Sequence, residues 1–522
     1  MAFKYTEEQL NKLDKELLIQ LFLGLQEQLE ALTAQTEALN TKMQQMMEQL
    51  ILSNKSRFGR SSEKLEDTSQ IRFMEVDGTI VFFNEAEADI SGLPRQRIDH
   101  YLSEEELTAE FGEKGWKQLP DVISNCYRFV PAKVEIEEHH IGVYSSKTDE
   151  HMVKAPHPKK LLRGSLVSES LAAAIMNGKY VNAVPLYRLE KEFERYGLAI
   201  TRQNMANWMI RLSEEYLAVM YDYLHELLYN YHVIQADETP VLVNKDGRPA
   251  GSKSWMWVYR SGFMYPERQI ILYEYQKTRN ASHPREFLKN YTGICVTDGY
   301  QVYHTLEKER EDLKIAGCWV HCRRKFDEAL TVIPKELRKQ SVLYLIMKQI
   351  QAIYREEGKL TALSSEERLK QRQLVVQPLV DAFFSYLKQN RDKVGKSSKA
   401  KEAFTYALNQ EPYLRVFLED GDVPMDNNAS ERAIRGFCGF CGFCIGKKNW
   451  EMIDTIHGAN SSAIIYSIAE TAKANNLKPY EYFEYLLTEI PKHMEDTNRD
   501  FLTELLPWAK TLPEYIRKPE EK

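Results

Sequence analysis

The sequence lacks any long hydrophobic run and any recognisable signal peptide. A transmembrane helix needs about 20 mostly apolar residues, so we expect no membrane partner and a cytoplasmic location. The seven cysteines are odd in number and lie mostly in the second half of the chain, which is not the pattern of a disulfide framework. A formal net charge of −7 excludes a uniformly basic surface, so contact with a polyanion would depend on local basic patches. The 522 residues suffice for roughly three or four domains.

The N-terminal region lacks proline, and Gly24 is the only glycine between residues 6 and 52. Its apolar positions alternate spacings of four and three, at Leu25, Leu29, Leu32, Thr36, Leu39, Met43, Met46 and Leu50. This seam predicts a coiled coil through which residues 1–54 self-associate, although a helix packed on its own domain would show a similar pattern. We interpret residues 55–100 as a linker, basic at first and then acidic, that contains a small hairpin around Asp77 and Gly78.

Three carboxylates that are far apart in sequence lie within or at the end of a predicted strand or helix. Asp237 interrupts the β-branched run of residues 233–243, VIQADETPVLV, which predicts a largely buried strand. Asp298 follows a short apolar strand at residues 294–296, and Glu431 lies in the first turn of a predicted helix. Burying a carboxylate is costly unless a cation binds it, so Asp237 in mid-strand is a candidate site residue.

Each carboxylate also has an ordinary structural interpretation. Asp237 and Asp298 could each begin a turn. Glu431 could complete a capping box in which Asn428 is the N-cap. Considered together, however, two aspartates and a glutamate could hold two divalent cations about 4 Å apart, and Mg²⁺ prefers such oxygen ligands. A regular strand turns Glu238 to the face opposite Asp237, so Glu238 is excluded from this set.

Five motifs follow one another along the chain, and they read ADETP, TDGYQVY, GCWVHCRRKF, DNNASERAIR and GKKNW. In this order they resemble the transposases of the insertion sequence 66 family, and the resemblance runs from about Pro156 to Pro491. The resemblance implies a ribonuclease H-like catalytic domain whose Asp-Asp-Glu triad corresponds to Asp237, Asp298 and Glu431. These three residues would hold two Mg²⁺ or Mn²⁺ ions. The resemblance also implies DNA as a partner and small companion proteins encoded by the same element.

Residues 101–160 depart from that family. In many of its members the corresponding segment resembles a zinc ribbon with paired CxxC motifs. This chain has Cys126 as its single cysteine here, among scattered histidines, and that is poor spacing for a zinc site. We therefore expect a degenerate zinc-ribbon-like β module without metal, with a strand pair at residues 128–141.

Residues 161–230 are predicted to be helical. One helix spans residues 186–196 and ends at Gly197, and the next spans residues 201–210 with a threonine cap. A helix, a glycine turn and a short polar helix resemble a helix-turn-helix, which would place polar side chains against DNA. The predicted contacts are Arg202, Gln203 and Asn207. Two ordinary packed helices are the alternative.

From residue 231 the pattern changes to that of a mixed sheet. Strands predicted at residues 233–243, 254–260 and 269–275 would form the first antiparallel meander of a ribonuclease H-like sheet. A helix at residues 284–291 and a strand at 314–319 would follow. The predicted segments are a first catalytic part at 231–330, an α-helical insertion at 331–415, a second catalytic part at 416–490 and a charged tail at 491–522. The predicted fold class is multidomain, with α+β and α/β parts.

A second group of residues is predicted to hold DNA phosphates beside the carboxylates. The group comprises His321, Arg323, Arg324, Lys325, Arg432, Arg435, Lys447 and Lys448. His321 could hydrogen-bond the scissile phosphate or a metal-bound water, or it could be an ordinary packed histidine. Cys318, His321 and Cys322 are too closely spaced for a full zinc site, and no fourth ligand is near them in sequence, so zinc is not expected. The tandem GFC repeat at residues 436–444 lacks a fourth cysteine, and we interpret it as an expansion and not as a metal site.

These interpretations predict a DNA transposase that cuts at the ends of an insertion sequence and joins the freed 3′-hydroxyl to target DNA. No covalent protein–DNA intermediate is required, because positioning and charge neutralisation supply the catalysis. Two alternatives remain open. One is a catalytically impaired relic that only binds DNA, because the GFC expansion has spoiled the site. The other is a ribonuclease H-like nuclease that cuts without joining.

Overall fold

The computed structural model describes residues 72–76, 79–83, 103, 105–106, 109, 132–145, 152–156, 159–249, 251–262, 264–393, 399–434 and 452–519. The chain divides into two compact units, residues 1–118 and 119–522. In the first unit, β1 (Arg72–Val76) and β2 (Thr79–Phe83) form an antiparallel pair, which confirms the predicted hairpin. The predicted coiled coil of residues 1–54 lies outside the described residues.

The first strands described in the second unit form a small sheet, in which β3 (Val143–Ser145) pairs antiparallel with β4 (Met152–Lys154). Residues 132–142 contain no strand, so the strand pair predicted at residues 128–141 is wrong for the described part of that segment. Val134 packs partly against the main core, but Ile136 is 90% exposed and Ile141 is also exposed, so the alternating apolar side chains do not form one buried face. Alternation stabilises a strand only where one face is buried.

A six-stranded mixed sheet forms the centre of the second unit. Its strands are β5 (Val233–Lys245), β6 (Lys253–Ser261), β7 (Ile271–Gln276), β8 (Gly293–Thr297), β9 (Leu313–Gly317) and β10 (Met452–Thr455). The first three are an antiparallel meander, and β8 and β9 continue the sheet parallel to β5, in the order β7-β6-β5-β8-β9. The predicted meander is therefore confirmed, with small shifts of the strand ends.

Within the described residues 159–230, four α-helices precede the sheet, and they are α1 (Glu169–Met176), α2 (Leu186–Arg195), α3 (Arg202–Leu212) and α4 (Ala218–Leu228). The two helices predicted in this region are confirmed as α2 and α3. Thr201 caps α3, since its hydroxyl accepts a hydrogen bond from the backbone N–H of Asn204 at 3.2 Å. Gly197 supplies the left-handed turn between them with φ of +82°. These helices share one apolar core with the sheet.

Three helices surround the parallel strands: α5 (Ser282–Phe287), α6 (Gln301–Glu309) and α7 (Trp319–Thr331). The helix α5 is shorter than the one predicted at residues 284–291. The strand predicted at residues 314–319 ends at Gly317, and α7 begins two residues later. Trp319 belongs to the helix because its side chain is fully buried among phenylalanines of the segment that follows.

The segment predicted as an α-helical insertion is indeed helical in its described part. It contains α8 (Lys335–Arg338), α9 (Val342–Gly358), α10 (Ser365–Gln371), α11 (Gln377–Asn390), α12 (Lys399–Asn409) and α13 (Glu411–Leu414). Phe326 of α7 packs against Phe383 and Phe404 of this segment in a second apolar core. That core reaches β8 and β9 through Val296 and Ala316, so the insertion covers the parallel part of the sheet.

The chain then returns to the sheet through α14 (Asn428–Ile434), β10, α15 (Ile456–Ala474), α16 (Pro479–Glu489) and α17 (Leu502–Leu505). The hydroxyls of Ser467 and Thr471 on α15 accept hydrogen bonds from backbone N–H groups of β7 at 2.7 and 3.0 Å. An edge strand that is covered in this way cannot recruit another strand. Among the described helices, none combines the length and the apolarity that crossing a bilayer requires.

The charged tail predicted at residues 491–522 is wrong as a description of residues 491–519. Leu502, Leu505, Leu512 and Ile516 are buried in the same core as the sheet. The charged residues between these apolar residues lie on the surface. The composition therefore suggested a solvated segment, whereas the apolar side chains anchor it to the core.

Candidate metal-dependent active site

Asp237 lies on the central strand β5, two residues beyond the point where pairing with β8 ends at Gln235. Its carboxylate accepts a hydrogen bond from the backbone N–H of Glu238 at 2.8 Å. Burial, and after it the negative charges of Glu238, Asp298 and Glu431, raise the pKa of Asp237 to about 8. The fold therefore brings Asp298 and Glu431 close enough to Asp237 for all three predicted carboxylates to interact.

Asp298 follows β8 at a turn that is held from two sides. Its carboxylate accepts a hydrogen bond from the backbone N–H of Tyr300 at 2.9 Å, and its carbonyl accepts one from the hydroxyl of Tyr406 on α12 at 2.9 Å. Gly299 has φ of +91°, and a side chain there would meet the Tyr406 hydroxyl at 2.9 Å. The helical insertion thus fixes the backbone at Asp298.

Glu431 is carried by α14, and the loop before α14 is joined to the sheet through Asn427. The Asn427 side-chain amide donates to the carbonyl of Ala236 on β5 at 2.8 Å. Its backbone N–H donates to the Cys318 sulfur at 3.2 Å, and its carbonyl accepts from the backbone N–H of Glu431 at 3.1 Å. This one fully buried residue links the strand of Asp237, the start of α7 and the helix of Glu431.

The alternative interpretation of Glu431, a capping box in which Asn428 is the N-cap, does not agree with the structure. Asn428 is the first residue of α14, and its backbone N–H donates to the Asp426 side chain at 3.1 Å. The Glu431 carboxylate instead lies near two residues of α7, with its Oε2 at 3.4 Å from the Arg324 guanidinium and its Oε1 at 3.7 Å from His321 Nδ1. Glu431 therefore faces the site and not its own helix terminus.

His321 lies among the same charges, because Asp298 and Glu431 both act on its imidazole. Burial lowers the pKa of His321, although the two carboxylates oppose this effect. A neutral imidazole keeps one nitrogen lone pair available. The buried Nδ1 of His321 and the buried Oε1 of Glu431 both lack a hydrogen-bond partner.

The ligand atoms of Cys318, His321 and Glu431 all lie within 4.8 Å of one another. Among the described residues, this group shares Glu431 with the predicted triad but contains neither aspartate. The spacing of Cys318, His321 and Cys322 in sequence gave no indication of a further ligand, and the fold supplies Glu431 from a distant helix. Partly buried carboxylates that repel one another, together with an unpartnered oxygen on Glu431, fit a divalent cation.

Glu238 was excluded from the triad, and in the structure its carboxylate binds Arg279 and Tyr303. Its side chain is fully buried and accepts a hydrogen bond from Arg279 Nε at 2.7 Å and one from the Tyr303 hydroxyl at 3.3 Å. The Arg279 guanidinium also stacks on the ring of Tyr300, 3.7 Å from its centre. Neither Arg279 nor Asn427 was predicted from the sequence, since one lies in an irregular segment and the other in an apparent loop.

The residues predicted to contact DNA differ in their placement. Arg202, Gln203 and Asn207 are exposed on α3, and Arg323, Arg324, Lys325 and Arg432 are exposed on α7 and α14. The Arg323 guanidinium lies over the ring of Tyr354 on α9, at 5.7 Å from its centre. Arg435, Lys447, Lys448 and the GFC repeat lie outside the described residues. On the described part, exposed cations accompany the carboxylate site on two of its helices.

In comparisons with known proteins, two family models match most of residues 119–522. The model of the family described as "Transposase IS66 family" matches residues 164–461, and that of the "IS66 C-terminal element" matches residues 467–508. The uncharacterized protein y4qI of Sinorhizobium fredii is 29% identical over 388 residues, which cover 73% of this chain and 69% of y4qI. The uncharacterized protein y4jD of the same organism is 26% identical over 436 residues, which cover 81% of this chain and 82% of y4jD.

Among solved structures, the Mos1 transposase in a paired-end complex with the left transposon end aligns with a TM-score of 0.12 and 16% sequence identity. The alignment covers 32% of this chain and 62% of that chain.

Proposed function

Since the chain belongs to the IS66 family of transposases, as its motifs predicted, we propose that it is a DNA transposase of the Asp-Asp-Glu type. It would hydrolyse a phosphodiester at each end of its insertion sequence and free a 3′-hydroxyl. That hydroxyl would then attack a phosphodiester of the target DNA, and a target 3′-oxygen would leave. Asp237, Asp298 and Glu431 are the proposed ligands of two Mg²⁺ or Mn²⁺ ions.

The observation that carries this proposal is the shared electrostatics of the three carboxylates. Asp237, Asp298 and Glu431 come from three elements far apart in sequence, yet the last two raise the pKa of the first. Such repulsion destabilises a metal-free fold and favours the binding of cations. Bound there, divalent cations would supply Lewis acidity and would neutralise charge at the phosphodiester.

Residues of the chain hold this site in shape. The backbone N–H groups of Glu238 and Tyr300 orient the carboxylates of Asp237 and Asp298. Arg324 contacts Glu431, and because half of the Arg324 side chain is exposed it can also donate to a DNA phosphate. Carboxylates in fixed positions beside an exposed arginine suit a phosphodiester substrate.

The strand order of the sheet supports the ribonuclease H-like assignment. An antiparallel meander continues into two parallel strands at the central strand β5. Asp237 lies on β5, and Asp298 directly follows β8. Ligands of mixed and parallel sheets bind near the carboxyl ends of such strands. DNA contacts through α3, self-association through residues 1–54 and companion proteins encoded by the same element as partners remain parts of the same proposal.

The test is a cleavage and joining assay with Mg²⁺ or Mn²⁺ on DNA that carries the ends of the insertion sequence. We expect Asp237→Asn, Asp298→Asn and Glu431→Gln each to lose both activities. Asp222→Asn, on the exposed side of α4, is the matched control and should keep both. Cleavage that survives in all three site variants would refute the proposed triad.

The same assay separates the two alternatives. A variant with two of the three GFC units deleted tests whether the tandem repeat at residues 436–444 impairs the enzyme. Activity that appears only in this variant would identify the intact chain as an impaired relic. Cleavage without any joined product would identify a nuclease.

A further inference from the structure

The start of α7 and the first turn of α14 bring together a thiol, an imidazole and a carboxylate. Cys318 immediately precedes α7, and His321 lies three residues later, so both side chains lie on one side of the first turn. Glu431 approaches them from α14, and the ligand atoms of all three residues lie within 4.8 Å of one another. Asn427 fixes this approach through its hydrogen bonds to Cys318 and to the backbone of Glu431.

Two atoms of this group are buried and unpartnered, and they face each other. His321 Nδ1 and Glu431 Oε1 are 3.7 Å apart, and neither makes a hydrogen bond. A buried polar atom without a partner carries an uncompensated desolvation cost. A cation between the two atoms would accept a lone pair from each and remove this cost.

The third member, Cys318, lies where a thiolate can be stabilised. Its sulfur accepts a hydrogen bond from the backbone N–H of Asn427 at 3.2 Å and lies at the N-terminus of α7, a helix of 13 residues. Helix N-termini and backbone N–H groups favour a negative sulfur. Burial opposes them and raises the pKa of the Cys318 thiol, so binding of a cation would release the thiol proton to solvent.

We propose that Cys318, His321 and Glu431 form a site for a soft divalent cation of the Zn²⁺ type. One sulfur, one imidazole nitrogen and one carboxylate oxygen are ligands that Zn²⁺ prefers, whereas Mg²⁺ prefers oxygen alone. The consequence for activity rests on the proposed function, because Glu431 is shared with the proposed catalytic triad. A Zn²⁺ ion held here withdraws Glu431 from the triad and inhibits cleavage, so the site is regulatory.

Binding is tested without DNA, on the full-length protein, with Co²⁺ as a spectroscopic substitute for Zn²⁺. We expect a cobalt–thiolate absorption band in the near ultraviolet that saturates at one Co²⁺ per chain and disappears when Zn²⁺ is added. Cys318→Ser should lose the band, and His321→Gln should weaken Co²⁺ binding about tenfold or more. Circular dichroism and thermal unfolding of each variant establish that it is folded.

The GFC repeat contributes three further cysteines, so a variant with Cys438, Cys441 and Cys444 replaced by serine is the matched control. The control should keep the cobalt–thiolate band. Loss of the band in the control, or its survival in Cys318→Ser, would overturn the proposed site.

Inhibition is tested separately in the cleavage assay. In the presence of Mg²⁺, added Zn²⁺ should inhibit the unaltered protein and should inhibit Cys318→Ser at least about tenfold less. Equal inhibition of the two proteins would refute the regulatory role. If no protein cleaves DNA, the proposed function fails, whereas the cobalt titration still decides whether the site exists.

Discussion

Arg279→Met isolates the contribution of a buried ion pair beside the carboxylate site. The Glu238 side chain is fully buried, and Arg279 is its cationic partner. Burial and the charge of Asp298 raise the pKa of Glu238 to about 7, while Arg279 opposes this shift. Methionine preserves much of the packing on Tyr300 but removes the positive charge, so the pKa of Glu238 should rise further.

The size of the effect follows from this pKa. A raised folded-state pKa gives stability that is fully present below about pH 4.5 and is lost as the pH rises to the folded pKa of about 7. In Arg279→Met this loss continues above pH 7, by about 1.4 kcal/mol per pH unit. The variant should therefore resemble the unaltered protein at about pH 6 and should be about 2 kcal/mol less stable at about pH 8.5.

The assay is urea denaturation at both pH values with chelator present. The control is Glu238→Gln, compared with and without Arg279→Met, because glutamine keeps the shape of the glutamate and cannot ionise. When Glu238→Gln is already present, adding Arg279→Met should cause no pH-dependent loss of stability. A loss of equal size at both pH values, or one that persists when Glu238→Gln is already present, would refute the reasoning that Arg279 acts by neutralising Glu238.

Two other changes test the site itself. Because burial and the neighbouring carboxylates raise the pKa of Asp237 to about 8, the stability of the metal-free protein should fall as the pH rises from about 4 to about 8. At about pH 8, Asp237→Asn should be more stable than the unaltered protein by on the order of 2 to 5 kcal/mol in urea denaturation. A less stable variant would contradict this reasoning. Asn427→Ala leaves the Ala236 carbonyl without its donor, so we expect a loss of about 1 to 3 kcal/mol of stability and a higher Mg²⁺ concentration for half-maximal cleavage. An unchanged Mg²⁺ dependence would show that Asn427 does not position Glu431.

The strands of the sheet were predictable because their signal is local. The apolar, β-branched runs of β5 and β8 are evident in short windows, and so is a carboxylate that interrupts or follows them. Asp237, Asp298 and Glu431 could therefore be selected before the fold was known, and the structure brings them into electrostatic contact. Their catalytic role stays a prediction, as do the coiled coil and the DNA contacts of α3.

The supporting residues were not predictable because their partners are remote in sequence. Asn427 resembles a loop asparagine until the carbonyl of Ala236 is placed beside it. Cys318 and His321 have too close a spacing for a metal site on their own, and only the fold brings Glu431 to them. Side-chain pairs that join distant elements leave no periodic trace in the sequence, so pattern analysis cannot find them.

The pairing of β10 with β5 also bears on the fate of incomplete chains. Strand β8 pairs with residues 233–235 of β5, and β10 pairs with Leu242, Val243 and Lys245 near the other end. A polypeptide that terminates before Met452 would leave that second stretch of β5 as an open strand edge that includes Leu242 and Val243. Open edges of this kind promote aggregation, so chains shortened in this way should aggregate or be degraded.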